Sequence, residues 1–565
     1  MKALAYANNS TVYMCCLPEA AIADCLGFSV RKIDKATGKK EPLPSMVPFE
    51  GQETSGKYET KTTDVWPIQK FSWKYFGGEE GKTYQFEFVP MVGTPDKLTA
   101  REDLAVLTNE VTLAAQHGDI TARFTNGILS TQWLANQLPK AADGSPDFEA
   151  LLKAIKTPGN PIREKLSGGI AKMLMEPILR AKASGGRVYQ ALYELSDPEL
   201  VDCLVENALV VSLILSNTGE DDQTNKASRE QLHKAGADIS DRMLASTEIG
   251  HNKSTTSVDA QQVPQDVTTG STNWTPTGLC CQSNNVLRVK SVDLATIYME
   301  YWKLLREDGS AQGEKLRTAN ATLKKQVVLP DGTRITVWFS PNMKERTKPK
   351  QNAPVPPDMA DVFDRMEKAR RQILFLAFYP GFPSIISKVQ TLQGARPDLM
   401  IRGAVSSPDA LPRNSVQLFH RQNETPAIVA AEAIEEEFGP WHKELLKAGP
   451  DAHAIIHDKI VVIDPLSETD CVVILGSHNL GFKASYQNDE NMLIIEGNRS
   501  LALAYMVHIL DVYDHYRFRY LRHLGKSTFK GFLSTSPDWQ NKYLSGAPRA
   551  ELEYYTGIAN LIKAA

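Results

Sequence analysis

The sequence is short of the features that would place it quickly. Only seven of its 565 residues are cysteine, an odd count. Two pairs are adjacent, Cys15–Cys16 and Cys280–Cys281, and no CxxC spacing occurs. That pattern argues against a disulfide framework and against a zinc site, so no metal or cofactor is implied. Long apolar runs are missing too. The longest, Ala208 to Leu215, is far too short to span a bilayer. The N-terminal MKALAYANNSTVYM lacks an apolar h-region and a small-residue cleavage site, so the expected compartment is the cytoplasm, a signal-independent export route being equally compatible. Neither charge sign is in excess: 63 Lys and Arg against 67 Asp and Glu give a formal net charge of -4. A strong nucleic-acid binder usually carries a basic excess or stripe, although a basic cleft can sit in an acidic whole. The hydrophobic share, 42%, and the charged share, 23%, are ordinary for a globular protein. A chain this long needs more than one core, which suggests two to four domains.

What is present begins with β-structure. Phe71, Trp73 and Tyr75 alternate with polar residues, as do Tyr84, Phe86 and Phe88. Period-two alternation of aromatics predicts half-buried antiparallel strands. Segments 111–115 and 120–124 flank a Gly-Asp turn and read as a hairpin. Residues 1–130 are therefore expected to form a β-sandwich. GKTYQFEFVPMVG resembles one late strand of a fibronectin type III domain, and a generic sandwich fits as well.

From about Leu151 the pattern becomes α/β. Residues 161–183 read as helix and 188–195 as strand. Asp197-Pro198 is a helix start, and the apolar 208–216 is a buried parallel strand. The same order recurs later, with strand 372–380, helix FPSIISKVQ and strand 399–407. Between the units, Asp331-Gly332 joins apolar runs as a hairpin within 327–341, followed by a basic, Pro-rich loop. The expected division is a first α/β half over 131–315, a second over 316–540 and a C-terminal tail over 541–565.

A duplicated unit invites a search for duplicated chemistry. When His251 is laid on His457, Lys253 falls on Lys459, Gly270-Ser271 on Gly476-Ser477, Asn273 on Asn479 and Asn285 on Asn491, without a gap. Downstream, Tyr298-Met299 matches Tyr505-Met506 with a shift of one. Residues two apart on a strand share a face, so each His and its Lys are expected to point the same way. The Gly-Ser-x-Asn turn lets backbone and side chains approach an oxyanion.

These residues resemble the paired H-x-K…G-S-x-N motif of the phospholipase D superfamily, over about residues 185–520. The resemblance implies two α/β domains with mixed sheets, related by a pseudo-twofold axis, and one active site between them. A monomer then suffices. It also implies phosphodiester hydrolysis without a metal. Two Lys, two Asn and two Ser neutralise the phosphoryl charge. One neutral imidazole attacks phosphorus to give a phosphohistidine, and the other, protonated, serves the leaving oxygen and then the incoming water. The family often places a carboxylate downstream of GSxN that orients the nucleophile of the opposite half. Glu490 stands there, and the matching position in the first half is Asn284. By resemblance, His251 is the nucleophile, buttressed by Glu490, and His457 the acid/base. The family's acid after H-x-K falls at Asp464 in the second copy, read as structural. In the first copy that slot is Val258, with Asp259 one step late.

Other residues are weaker candidates. Trp274 and His478 lie within the motifs and are expected to touch substrate, alongside Ser271 and Ser477. His453 is read mainly as packing, Cys280 and Cys281 as buried small hydrophobes, EAIEEEF (432–438) as a solvated helix face, and 511–520 as a core-packing aromatic helix. Two substrates remain open. An insert at 408–450, with Trp441, would supply an apolar surface for phospholipid. The loop with Lys344, Arg346, Lys348 and Lys350 would contact nucleic-acid phosphates. Mild acidity favours phospholipid over a nuclease. A non-catalytic scaffold, with a protein partner bound by the N-terminal sandwich, is the third reading.

Overall fold

The computed structural model describes all residues except 55–58, 128–137, 140–146, 218–219, 245–246, 310, 323–324, 348, 351, 407–427, 431–455, 524–529 and 558–565. His453, the 432–438 run, Lys348 and nearly all of the 408–450 insert with Trp441 lie outside the described residues.

The chain starts with two antiparallel sheets. Lys2–Ala7, Val12–Leu17 and Ser72–Tyr75 form a three-stranded sheet. Cys25–Asp34 and Thr83–Thr94 are the centre of a six-stranded one. Tyr84, Phe86 and Phe88 turn inward while Gln85 and Glu87 stay half-exposed, as the alternation predicts. Phe28 and Phe71 meet at 5.6 Å and tie the sheets into one core.

The hairpin expected from 111–115 and 120–124 is shorter than read. Val111–Thr112 pairs with Thr83 and Tyr84, while Ala115 to His117 pair back on Ile120 to Ala122 across the Gly-Asp turn. Ile120–Phe124 also continues an α/β sheet through Asn285–Lys290. Its buried residues Ile120, Ala122 and Phe124 find apolar surface there, and Phe124 packs on Tyr505 at 4.9 Å.

Two eight-stranded sheets follow, with the same strand order. In the first, Ile120–Phe124 is followed across the sheet by Asn285–Lys290, Pro264–Gly270, Lys253–Val258, Arg187–Leu192, Val211–Asn217 and Asp238–Met243. In the second, Arg334–Ser340 is followed by Glu490–Glu496, Val472–Gly476, Lys459–Ile463, Gln372–Ala377, Met400–Val405 and Ile428–Ala430. Both are antiparallel on one side and parallel over the last three strands. Sequence thus located the strands well, although residues 161–183 break into helices Pro161–Ser167 and Ile170–Ser184 at the Gly168-Gly169 pair.

The sheets face each other across a central core built with helices Val292–Asp308 and Arg499–His523. Alternate residues of the same strands point outward. Val188 and Leu213 pack under the first half's outer helices, and Ile373 and Phe375 under those of the second. The expected tail is docked rather than free. Helix Gly546–Tyr555 buries Tyr555, whose carbonyl accepts from Tyr6 at 2.6 Å and whose hydroxyl accepts from Gln372 at 2.5 Å. Trp539 donates to the Cys25 carbonyl at 2.9 Å. Aromatic area draws the end of the chain into the seam between the N-terminal sheets and the second half.

Candidate active site

Each His–Lys pair sits at the entry of a central strand. Those strands begin at Lys253 and Lys459, so His251 and His457 stand just ahead of them. Each lysine folds back to donate to the carbonyl of its own histidine, at 2.9 Å for Lys253 and 2.5 Å for Lys459. All four residues are buried. An aromatic ring supports each pair: Tyr193 lies 4.8 Å from His251 and 5.0 Å from the Lys253 ammonium, and Phe378 lies 4.7 Å from His457 and 4.8 Å from the Lys459 ammonium. Sequence reasoning missed these rings. The signal was present, since each is the first residue beyond its inner strand, after Leu192 and after Ala377.

The Gly-Ser-x-Asn turns close the site. Gly270 (φ 154) and Gly476 (φ 149) end their strands in a conformation L-residues avoid, and a Cβ there would meet the carbonyl oxygens of Asn285 and Asn491 at 2.3 and 2.2 Å. Ser271 and Ser477 are fully buried. Their hydroxyls accept from the backbone of Asn285 (3.1 Å) and Asn491 (3.0 Å), which braces the two turns. Asn273 donates to Glu194 at 2.5 Å. The amide oxygens of Asn273 and Asn479 are buried without a protein partner among the described residues. Polar atoms left so are costly unless a ligand or water satisfies them.

The halves interlock through their motifs. Asn491 of the second half donates to Asn252 of the first at 3.1 Å and accepts from Tyr298 at 3.1 Å. Asn285 of the first donates to Asp458 of the second at 2.7 Å and accepts from Tyr505 at 3.2 Å. The gapless alignment of the copies thus reports a real symmetry, down to the shifted Tyr298–Tyr505 pair. It breaks at one rung. Asn252 is held by the Tyr301 hydroxyl at 3.0 Å, whereas Asp458 is held by the His508 imidazole at 2.8 Å.

It breaks again at the histidines. His251 Nδ1 faces the Glu490 carboxylate of the opposite half at 3.3 Å, an ion-pair distance with the ring N–H off the line of a good hydrogen bond. His457 Nδ1 meets the Asn284 amide oxygen of the opposite half at 2.9 Å. The Asn284 amide donates to the Gly278 carbonyl at 2.9 Å, which leaves its oxygen to accept from the ring. Burial and the Lys253 charge push His251 down to about 4 against the upward pull of Glu490. Burial, with Lys459 and Lys253 next, pushes His457 well below the usual imidazole range. Burial would raise Glu490, but His251 outweighs it and holds the carboxyl low. Burial and the neighbouring ammonium groups thus act in the same direction on both imidazoles.

Other expectations resolve as follows. Trp274 is in the core of the first half rather than at substrate, its backbone N–H donating to Glu194 at 3.1 Å. His478 is also committed: one ring nitrogen lies 3.1 Å from the Ser485 hydroxyl and 3.2 Å from Asp358, and the other accepts from Leu480 at 3.0 Å. Burial opposes its charge, but Asp358 outweighs burial and raises it. Asp464 is structural, its carboxylate accepting from the backbone of Arg370, Arg371 and Gln372 at 2.7 to 2.8 Å. Asp259 holds a turn through Gln261 and Val263, both at 2.9 Å. Cys280 and Cys281 are buried, and burial pushes Cys281 up to about 12, far from a reactive thiolate. In the basic loop, Arg346 is tied to Glu248 at 2.9 Å, while Lys344 and Lys350 are exposed. No helix of the described residues is long and apolar enough to cross a membrane.

With this geometry in view, the comparisons with known proteins are specific about one half. Residues 400–509 match the family described as cardiolipin synthase, PLD-like domain. No curated protein matches the sequence. Among solved structures, the chain is similar to polyphosphate kinase from Porphyromonas gingivalis (12% identity, TM-score 0.36), with 58% of this chain on 42% of that one. It is similar to phosphatidylserine synthase of Haemophilus influenzae (13%, 0.39), with 69% on 93%. It is also similar to the phospholipase D family member Nuc from Salmonella typhimurium (15%, 0.21), with 34% on 94%. The chain thus spans under half the length of the polyphosphate kinase. The resemblance to the phospholipase D superfamily read from the paired motifs holds.

Proposed function

We propose that this chain, whose residues 400–509 carry a phospholipase D-like domain, is a metal-independent phosphodiesterase that cleaves phospholipid through a phosphohistidine. One observation supports it above the others: two buried His–Lys pairs meet at one seam, each histidine braced from the opposite half.

In this reading Lys253 and Lys459 supply the charge that a metal would bring to the phosphoryl oxygens. The Nε2 of neutral His251 attacks phosphorus, and Glu490 stabilises the imidazolium character that develops. His457, with its Nδ1 proton held by Asn284, gives its Nε2 proton to the leaving oxygen. It then takes a proton from water as the water oxygen attacks the phosphohistidine, which releases His251 and restores His457. The N-terminal sheets, one of three strands and one of six, are read as the fibronectin III-like sandwich that the sequence suggested. Their role as a protein-binding platform remains part of the proposal.

The test is one panel in excess chelator. Purified chain and its His251→Ala variant receive phosphatidylcholine vesicles and single- and double-stranded DNA. Free head-group alcohol with intact DNA, lost in the variant, is the expected result. Cleaved DNA with intact lipid transfers the site to nucleic acid, and activity that vanishes with chelator overturns the metal-free chemistry.

A further inference from the structure

The two halves differ most visibly in the loop after the inner strand, beside each histidine. In the first half the chain runs from Leu192 to the helix cap Asp197, with Leu195 and Asp197 buried. In the second it runs from Ala377 to the cap Ser384, two residues longer, and reads Phe-Tyr-Pro-Gly-Phe-Pro. Here Phe378 supports His457, its ring meets that of Tyr379 at 4.3 Å, and Tyr379 and Phe382 are 42% and 46% exposed. Phe382 thus stands half-exposed in the same loop whose Phe378 supports His457.

The loop is rigid. Gly381 adopts φ +68 at its tip. Gly481, two residues beyond Asn479, lies so close under the loop that a Cβ would stand 1.7 Å from the Pro380 carbonyl oxygen. Phe482 donates to the Pro383 carbonyl at 3.0 Å, and Ile385 to that of Leu480 at 3.1 Å. The aromatic lip and the catalytic turn of its half are therefore one unit.

We infer that the Tyr379–Phe382 lip is an interfacial anchor that enters the surface of a zwitterionic phospholipid bilayer and delivers the phosphodiester to His457. This rests on the phospholipid reading above. Charge favours a lipid surface over a nucleic-acid strand. Binding along a strand draws on successive cation–phosphate contacts, and residues 378–383 carry no charge at all. The equivalent position to Tyr379 in the first half is Glu194, a carboxylate that repels a polyanion, and Arg346 is spent on Glu248. Tyr and Phe are suited to the boundary between head groups and acyl chains, and a zwitterionic surface asks for no net counter-charge.

The test compares one head group in two physical states. Wild type, Phe382→Ala and Phe382→Leu would be assayed on phosphatidylcholine vesicles and on dihexanoyl-phosphatidylcholine below its micelle concentration. Loss of a buried ring predicts that Phe382→Ala loses about tenfold or more kcat/KM on vesicles beyond any loss on the monomeric lipid. Leu, which enters lipid but cannot stack on a base, restores most of it. Equal losses on both forms, no loss on vesicles, or a loss confined to a single-stranded oligonucleotide and not restored by Leu each overturn the anchor. Vesicle co-sedimentation of His251→Ala with and without Phe382→Ala reads the lip independently of turnover. Undiminished sedimentation sinks the anchor even if the enzyme is a phospholipase. Absent lipid turnover with Phe382-dependent sedimentation sinks the hydrolase reading while the anchor stands.

Discussion

The two halves of this protein share strand order, motif spacing and interlocking amides, yet they brace their histidines differently. On the His251 side the bracing is ionic. Glu490 faces the ring, and its neighbour Asp489 is clamped by Arg242 of the first half at 2.6 Å, with Asp308 on the same guanidinium at 2.9 Å. On the His457 side the partner is an amide, and the carbonyl of Ser283, which stands where Asp489 stands, accepts from the backbone N–H of His457 at 3.1 Å. A twofold fold thus yields two chemically unequal histidine positions at one seam. A carboxylate favours the imidazolium that forms when a ring attacks. A neutral acceptor holds one tautomer while leaving the proton on the other nitrogen free to move.

Four experiments would break or sharpen that inequality. The largest effect concerns the histidines themselves. On a nitrophenyl phosphodiester, whose leaving group needs no proton, His457→Ala is expected to accumulate an acid-labile, alkali-stable phosphoenzyme, trapped by an alkaline quench. His251→Ala should form none and lose about 10⁴-fold or more in kcat/KM. Phosphoenzyme found on His457 instead would reverse the assignment.

The braces come next. Glu490→Gln should cost about 10- to 100-fold in kcat/KM. Because Glu490 pulls His251 upward, its removal drops that ring further, and the acidic limb of the pH profile moves to lower pH. Asn284→Asp places a carboxylate on His457, raises it, keeps it protonated to higher pH and moves the alkaline limb upward. Unmoved limbs would show that these groups only hold structure.

The buried clamp should appear in stability. Arg242→Met leaves Asp489 and Asp308 unpaired and is expected to cost about 3 kcal/mol by urea denaturation. Ser283→Ala removes no charge and should cost about 1 kcal/mol or less. Equal costs would mean that the ionic side is no more braced than the neutral one.

The smallest effect is shared by both halves. His251 is held at about 4 by burial first, and burial also holds His457 well below the usual imidazole range, so the unfolded chain takes protons that the folded chain refuses. Each contributes stability in full above the unfolded value of about 6.5 and loses it as pH falls toward the folded value. His251→Gln should therefore have a shallower fall of Tm between pH 7.5 and pH 5 than wild type. An unchanged slope would remove His251 from the acid sensitivity.

Much of this was legible in the residues. The four residues of the paired motif, His251, Lys253, His457 and Lys459, stand out because the same side chains recur at fixed strand spacing. The Glu490–Asn284 asymmetry is likewise visible in an alignment of the chain with itself. Less was legible where burial decides. Trp274 and His478 sit inside the motifs and looked available, but one is core and the other is enclosed by Ser485, Asp358 and Leu480. Ile120–Phe124 looked like half of a local hairpin because turn signals are local, while the apolar partner that claims it is more than 150 residues away.

By itself, then, the sequence determined the duplicated α/β unit, the strands and the paired motif, since periodicity and spacing are properties of the chain in one dimension. Only the tertiary structure decided that the Asn284 amide crosses the seam to His457, and that Tyr193 and Phe378 support the two histidines. Those contacts join residues far apart in sequence, and only burial of a common core between the two sheets brings them together.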